Sequence, residues 1–207
     1  MRDSQKALTE LYSRIILEEN GRKVIEGNVL LKGLYLTELP ELLVDVEVTG
    51  NFDCSNNYLT TLKGTPRRVI GNFECSNNKL TTLEGAPVYI GDNFYCFKNR
   101  LTSLEYAPTY IGSGFYCRES RLKSLLGCPQ VIHGTFTCSH NELKSLVGGP
   151  RVVGGNFWCT NNNLITLEGA PKTVNGEFNC YRQAIKFSRR DVANVVNVGK
   201  AIFADTL

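Results

Sequence analysis

Apolar residues fall at fixed offsets along most of this chain. In Val69-Ile-Gly-Asn-Phe73-Glu-Cys75-Ser-Asn-Asn78-Lys-Leu80-Thr-Thr-Leu83 they alternate with other residues as far as Cys75, then recur three apart at Leu80 and Leu83. Alternation predicts a strand that buries Val69, Phe73 and Cys75 and turns Ile70, Asn72, Glu74 and Ser76 outward. The spacing of three predicts a tight, irregular or 3₁₀-like turn, and Gly85-Ala86-Pro87 closes the return loop. The whole pattern repeats every 21 residues, with cysteine at Cys54, Cys75, Cys96, Cys117, Cys138, Cys159 and Cys180 and phenylalanine two places before each. A fixed period of this length marks a stacked repeat. One rung alone buries too little to offset its backbone entropy, so the rungs must stack, their strands forming a parallel sheet with a spacing of about 4.8 Å.

The ends of the chain depart from the pattern. Ile25, Gly27, Val29, Leu31, Leu34, Leu36 and Leu39 repeat its spacing without the cysteine, and the return segment from Pro40 to Glu47 is longer, as befits a terminal rung. Residues 1–23 are expected to form a capping helix, because Ala7, Leu8, Leu11, Tyr12, Ile15 and Ile16 fall at helical spacing before Asn20-Gly21. Residues 188–207 are expected to form a second one. There Ser188 and Asp191 make a capping-box-like start, and Val192, Val195, Val196, Gly199, Ile202 and Phe203 make a helical stripe. The expected fold is an α/β repeat, a leucine-rich-repeat-like solenoid with a parallel β-sheet on one face. Eight rungs over 24–187 lie between the two helical caps, in one structural domain.

Asn57, Asn78, Asn99, Asn141 and Asn162 sit where each strand must bend, a place that suits an amide able to bond neighbouring backbone. Ser120 and Gln183 interrupt that column. The order Phe-x-Cys-x-x-Asn-x-Leu-x-x-Leu resembles the leucine-rich repeat core Leu-x-Leu-x-x-Asn-x-Leu. Leu36-Thr-Glu-Leu-Pro-Glu-Leu42 is similar to the short repeats of bacterial leucine-rich effectors. The fuller form Gly-Asn-Phe-x-Cys-Ser-x-Asn-x-Leu-Thr-x-Leu-x-Gly-x-Pro resembles repeat proteins encoded by tailed bacteriophages. The resemblance covers about residues 24–187 and implies a curved solenoid with its sheet on the concave face. It further implies a phage-encoded or effector-like protein that binds and modulates, or inhibits, a host protein such as a defence component.

Candidate chemistry is sparse. The chain has eight cysteines but no Cys-x-x-Cys pair or zinc-type Cys/His spacing, so they are expected to be inert thiols in the core. His133 and His140 have no ordered Ser, Cys or carboxylate partner, and Gly199-Lys200 lacks the spacing of a phosphate-binding loop. A protein without catalysis, metal or cofactor is expected. The net charge of +3 announces no polyanion surface, and no apolar run suggests a leader or span, so a cytoplasmic protein is expected, in the host cell if phage-encoded. A monomer is expected, with dimerisation through a capping helix as the alternative.

The informative departures lie on the outward strand positions. Before each cysteine stand Asp53, Glu74, Tyr95, Tyr116, Thr137, Trp158 and Asn179; after it stand Ser55, Ser76, Phe97, Arg118, Ser139, Thr160 and Tyr181. Aromatic residues gathered with arginine have the composition of protein interfaces. Tyr95, Phe97, Arg100, Tyr116, Arg118, Arg121, Trp158 and Tyr181 are therefore the expected contact residues, with a host or bacterial protein as partner. Single-stranded nucleic acid, which also takes aromatics interleaved with bases, is the second reading, and a stacked carbohydrate is the third. Repeat drift would leave the same aromatics without a partner.

Overall fold

A computed structural model describes residues 2–205. Each repeat forms one turn of a β-solenoid, but the single strand expected from Val69 to Cys75 breaks into two short ones. Arg68–Val69 joins one sheet and Phe73–Glu74 another. The corner between them sits at Ile70-Gly71-Asn72, where a Cβ on Gly71 would collide with Asn51 Oδ1 and lie 2.9 Å from the Gly50 carbonyl carbon. Corners thus pack directly on corners. Asn51 Oδ1 accepts from the Asn72 N–H at 2.7 Å, Asn72 Oδ1 from the Asn93 N–H at 3.1 Å, and Asn93 Oδ1 from the Gly114 N–H at 2.8 Å.

The second strands make one parallel sheet of nine: Val29–Leu30, Phe52–Asp53, Phe73–Glu74, Phe94–Tyr95, Phe115–Tyr116, Phe136–Thr137, Phe157–Trp158, Phe178–Asn179 and Ile202–Phe203. The first strands make a six-stranded sheet ending at Tyr110–Ile111 and a four-stranded one beginning at Val131–Ile132. Phenylalanine registers on phenylalanine across the seven central strands of the nine-stranded sheet, with Val29 and Ile202 taking its place at the two edges. The Phe94 and Phe115 centroids lie 5.0 Å apart, as do those of Phe157 and Phe178. All seven of these phenylalanines are fully buried, together with the cysteine two residues on and the two leucines that follow in most rungs.

The asparagine column ties the rungs together as expected. Asn78 Nδ2 donates to the Cys54 carbonyl of the preceding rung at 3.0 Å and to its own Cys75 carbonyl at 3.1 Å, while its Oδ1 accepts from the Leu59 N–H at 3.0 Å. Gln183 reproduces much of this, donating to Cys159 O at 2.8 Å and accepting from the Leu164 N–H at 3.4 Å. Ser120 is too short to do so and only accepts from the Asn99 N–H, at 3.3 Å.

Both ends differ from the expected helical caps. The first helix, α1, spans Arg2–Ser13 and puts Leu11 into the core. Ile16–Leu17 then pairs antiparallel with Lys23–Ile25, so it covers the first edge of the six-stranded sheet as a strand. Gly21, at φ +83°, supplies the left-handed turn of this hairpin, and β-branched Ile15 and Ile16 favour extended chain once the helix stops. At the other end the capping box of Ser188 and Asp191 is present, but its helix α2 runs only Arg189–Ala193. The chain beyond it builds a ninth rung. Val198 registers on Val174 and Ile202 on Phe178, so ladder hydrogen bonds prevail over the helical stripe. The valines at 192, 195, 196 and 198 also disfavour helix intrinsically.

Among the described residues, no helix is long and apolar enough to cross a membrane. All eight cysteines are free and buried, and burial holds their thiols far above the ordinary thiol range.

Candidate functional site

Because each Phe-x-Cys segment buries its first and third residues, the middle residue is held on the outer surface of the nine-stranded sheet. Register then stacks those residues from rung to rung. Tyr95 and Tyr116 are direct neighbours, with ring centroids 4.8 Å apart and planes inclined by 19°. Phe97 meets Tyr95 edge-on at 6.5 Å and 89°, and the Arg118 guanidinium lies over Phe97 at 4.5 Å. Four of the eight expected contact residues therefore form one continuous cluster over two rungs. Glu119 binds both Arg118 and Lys98, the latter at 3.8 Å.

Gly114 explains how Tyr116 lies. It occupies the corner position where the preceding rungs carry Asn51, Asn72 and Asn93, and a Cβ there would meet Tyr116 Cε2 at 2.6 Å and its hydroxyl at 2.7 Å. The ring fills the space vacated by the missing asparagine. Restoring that side chain, as Gly114→Asn, is expected to displace the ring and remove the coupling with Tyr95 while leaving the fold intact. Near-UV circular dichroism of the tyrosines, compared with an unchanged far-UV spectrum, measures this directly.

The other expected residues are placed more loosely. Arg100 and Arg121 are exposed on the adjoining turn, and Trp158 lies two rungs beyond Tyr116. Between them Thr137 is only 3% exposed. The indole Nε1–H of Trp158 is enclosed without a hydrogen-bond partner. Tyr181 is a further rung away and its ring neighbours Phe203 at 6.5 Å. The column after the cysteine is not uniformly outward: Ser55, Ser76 and Ser139 are buried, because the chain is already bending inward there, and only larger residues reach the surface.

On the side toward the start of the chain the face turns acidic. Asp53 and Glu74 are register partners, and partial burial and then the nearby Asp53 raise the Glu74 carboxyl above its ordinary value, opposed by Lys32. Burial, with Tyr116, Glu74 and Asp92 following, raises the Tyr95 phenol. His133 and His140 lie apart from this face, the first 5.6 Å from the Tyr110 ring and the second near Asn161 Nδ2 at 3.4 Å.

A second aromatic pair escaped the sequence reading. On the six-stranded sheet, Tyr89 and Tyr110 stack at 4.8 Å and 7°, with Arg68 over Tyr89 at 4.0 Å. Glu47 receives Arg22 at 2.6 Å and Arg68 at 2.9 Å. The signal was present, since Glu47, Arg68, Tyr89 and Tyr110 recur at the repeat period. Placing the strand start at the following aliphatic hid it.

No protein-family model matches the chain, and no curated protein matches it either. The fold itself defines the class: a repetitive parallel β-solenoid with an aromatic and basic cluster on one sheet.

Proposed function

We propose that this chain is a non-catalytic scaffold that binds another protein through the face built on Tyr95, Phe97, Tyr116 and Arg118. The carrying observation is the continuous cluster those four residues make on a sheet whose backbone is fixed by its neighbours. Rigid aromatics and an arginine held in place lose little freedom on binding, which is why such residues dominate interface energetics. The two tyrosines turn their faces toward each other, which leaves edges and hydroxyls for a partner and counts against stacking of bases or sugars between them. From the resemblance to phage and effector repeats, the partner would be a bacterial host protein, and binding would modulate or inhibit it in the cytoplasm.

The test is affinity capture from bacterial lysate, with and without nuclease, comparing wild type with Tyr95→Ser/Tyr116→Ser. The double variant is expected to melt as wild type does and to lose the captured protein. Capture that persists in the folded variant would place the contact surface elsewhere, and capture that disappears with nuclease would make the ligand a nucleic acid.

A further inference from the structure

The turn after the asparagine position, held by Ser120 in one rung, carries a column of its own, running Tyr58, Lys79, Arg100, Arg121, Glu142, Asn163. Backbone bonds hold it in register: the Lys79 N–H donates to Leu59 O at 2.9 Å, Arg100 to Leu80 O at 2.8 Å, and Arg121 to Leu101 O at 3.0 Å. Three exposed cations thus stand on consecutive rungs, about 4.8 Å apart. The neighbouring cations Lys98 and Arg118 pair with Glu119, and elsewhere Arg22 and Arg68 pair with Glu47. Among the described residues, Arg100 and Arg121 have no ion-pair partner, and Lys79 lies over the Tyr58 ring at 4.4 Å. Unpaired like charges on adjacent rungs repel one another, and an anionic partner relieves the repulsion.

We infer that this ladder receives the carboxylates of an acidic α-helix on the partner protein, laid along the stacking direction with its apolar flank against Phe97 and Tyr95. The inference rests on the protein-binding reading above. Spacing selects the helix. Residues at i, i+3 and i+7 of a helix rise by about 4.5 and about 10.5 Å, close to one and two rung steps, whereas an extended peptide repeats a face only every ~6.6 Å. A continuous phosphate chain fits less well, because it needs a longer basic track than three rungs and Glu142 ends the ladder.

The probe is a synthetic helical peptide with glutamates in one stripe at i, i+3, i+7 and leucines beside it. Its controls are a peptide of the same composition with the glutamates distributed around the helix and a single-stranded oligonucleotide of equal charge. Titration against the full chain is followed by calorimetry and by Trp158, the one tryptophan of the chain. The striped peptide is expected to bind wild type about tenfold more tightly than the control peptide, and Arg100→Glu/Arg121→Glu to lose about tenfold, as two exposed charge pairs would imply. Arg151→Glu, on a different turn, should leave the affinity unchanged. Equal binding of the two peptides, an unaffected charge-reversal variant, or tighter binding of the oligonucleotide each overturns the inference. Lysate capture separates the levels: if Arg100→Glu/Arg121→Glu still captures the protein that Tyr95→Ser/Tyr116→Ser loses, the helix ladder fails while the binding face stands.

Discussion

Between about pH 8 and about pH 10 the protein should lose most of its stability. Its eight thiols are buried, and burial raises every one of them, Cys180 to about 12 and the others at least as clearly. In an unfolded chain a cysteine ionises near 8.5. Across this range the unfolded state releases protons that the folded state keeps, so rising pH draws the equilibrium toward unfolding. Each thiol contributes about 1.4 kcal/mol per pH unit once past its unfolded value, or roughly 2 kcal/mol over the range. Eight together reach about 15 kcal/mol, against a total stability of about 5–15 kcal/mol for a typical domain. Below about pH 7.5 the thiols are neutral in both states, and the contribution is constant. Urea unfolding under reducing conditions at a series of pH values checks this. A midpoint that stays level up to about pH 10 would mean that the cysteine column is open to solvent.

Asn141→Ala is the second large effect, expected to cost about 3–5 kcal/mol and to lower the melting temperature by about 10 °C. Its amide oxygen accepts from the Leu122 N–H at 3.0 Å and the Ser120 N–H at 3.2 Å. Its Nδ2 donates to Cys117 O at 3.1 Å, Cys138 O at 3.0 Å and Ser139 O at 3.3 Å. Alanine leaves a buried N–H and buried carbonyls without partners, each costing about 1–3 kcal/mol. Asn141→Asp should be at least as harmful, because it sets an oxygen against two carbonyl oxygens where a donor stood. Chemical denaturation of the three proteins decides it. Equal stability of wild type and Asn141→Ala would show that the column does not tie the rungs.

The solenoid and its core were legible because strict periodicity leaves no freedom: once Phe73 and Cys75 are assigned inward, every equivalent residue follows. The asparagine column was legible for the same reason. What a single period cannot reveal is a corner, since Val69-x-Gly71-x-Phe73 alternates alike in one straight strand and in two joined at a bend. The ninth rung was obscured by an accidental helical spacing from Val192 to Phe203. Its own sign was Val198-x-x-x-Ile202-x-Ala204, which places apolar residues where other rungs have Val, Phe and Cys. In the proposed binding face, residue columns could be read from the sequence, but ring contacts could not. That Gly114 makes room for Tyr116 depends on where a side chain lies, and the spacing of residues carries no such information.

The turn containing Cys117 has given up ties on both of its sides. Ser120 cannot make the amide bonds toward the preceding turn, Gly114 has no side chain to offer the following one, and the first-strand ladder stops between Ile111 and Val131. A stacked protein behaves as a row of coupled units and yields first where the coupling is thinnest, here the first-strand edge between Ile111 and Val131. The second strand and Asn141 still hold the turn that carries Tyr116 and Arg118. The row can therefore give along the edge away from the proposed contact cluster while the spacing of Tyr116 and Tyr95 is kept.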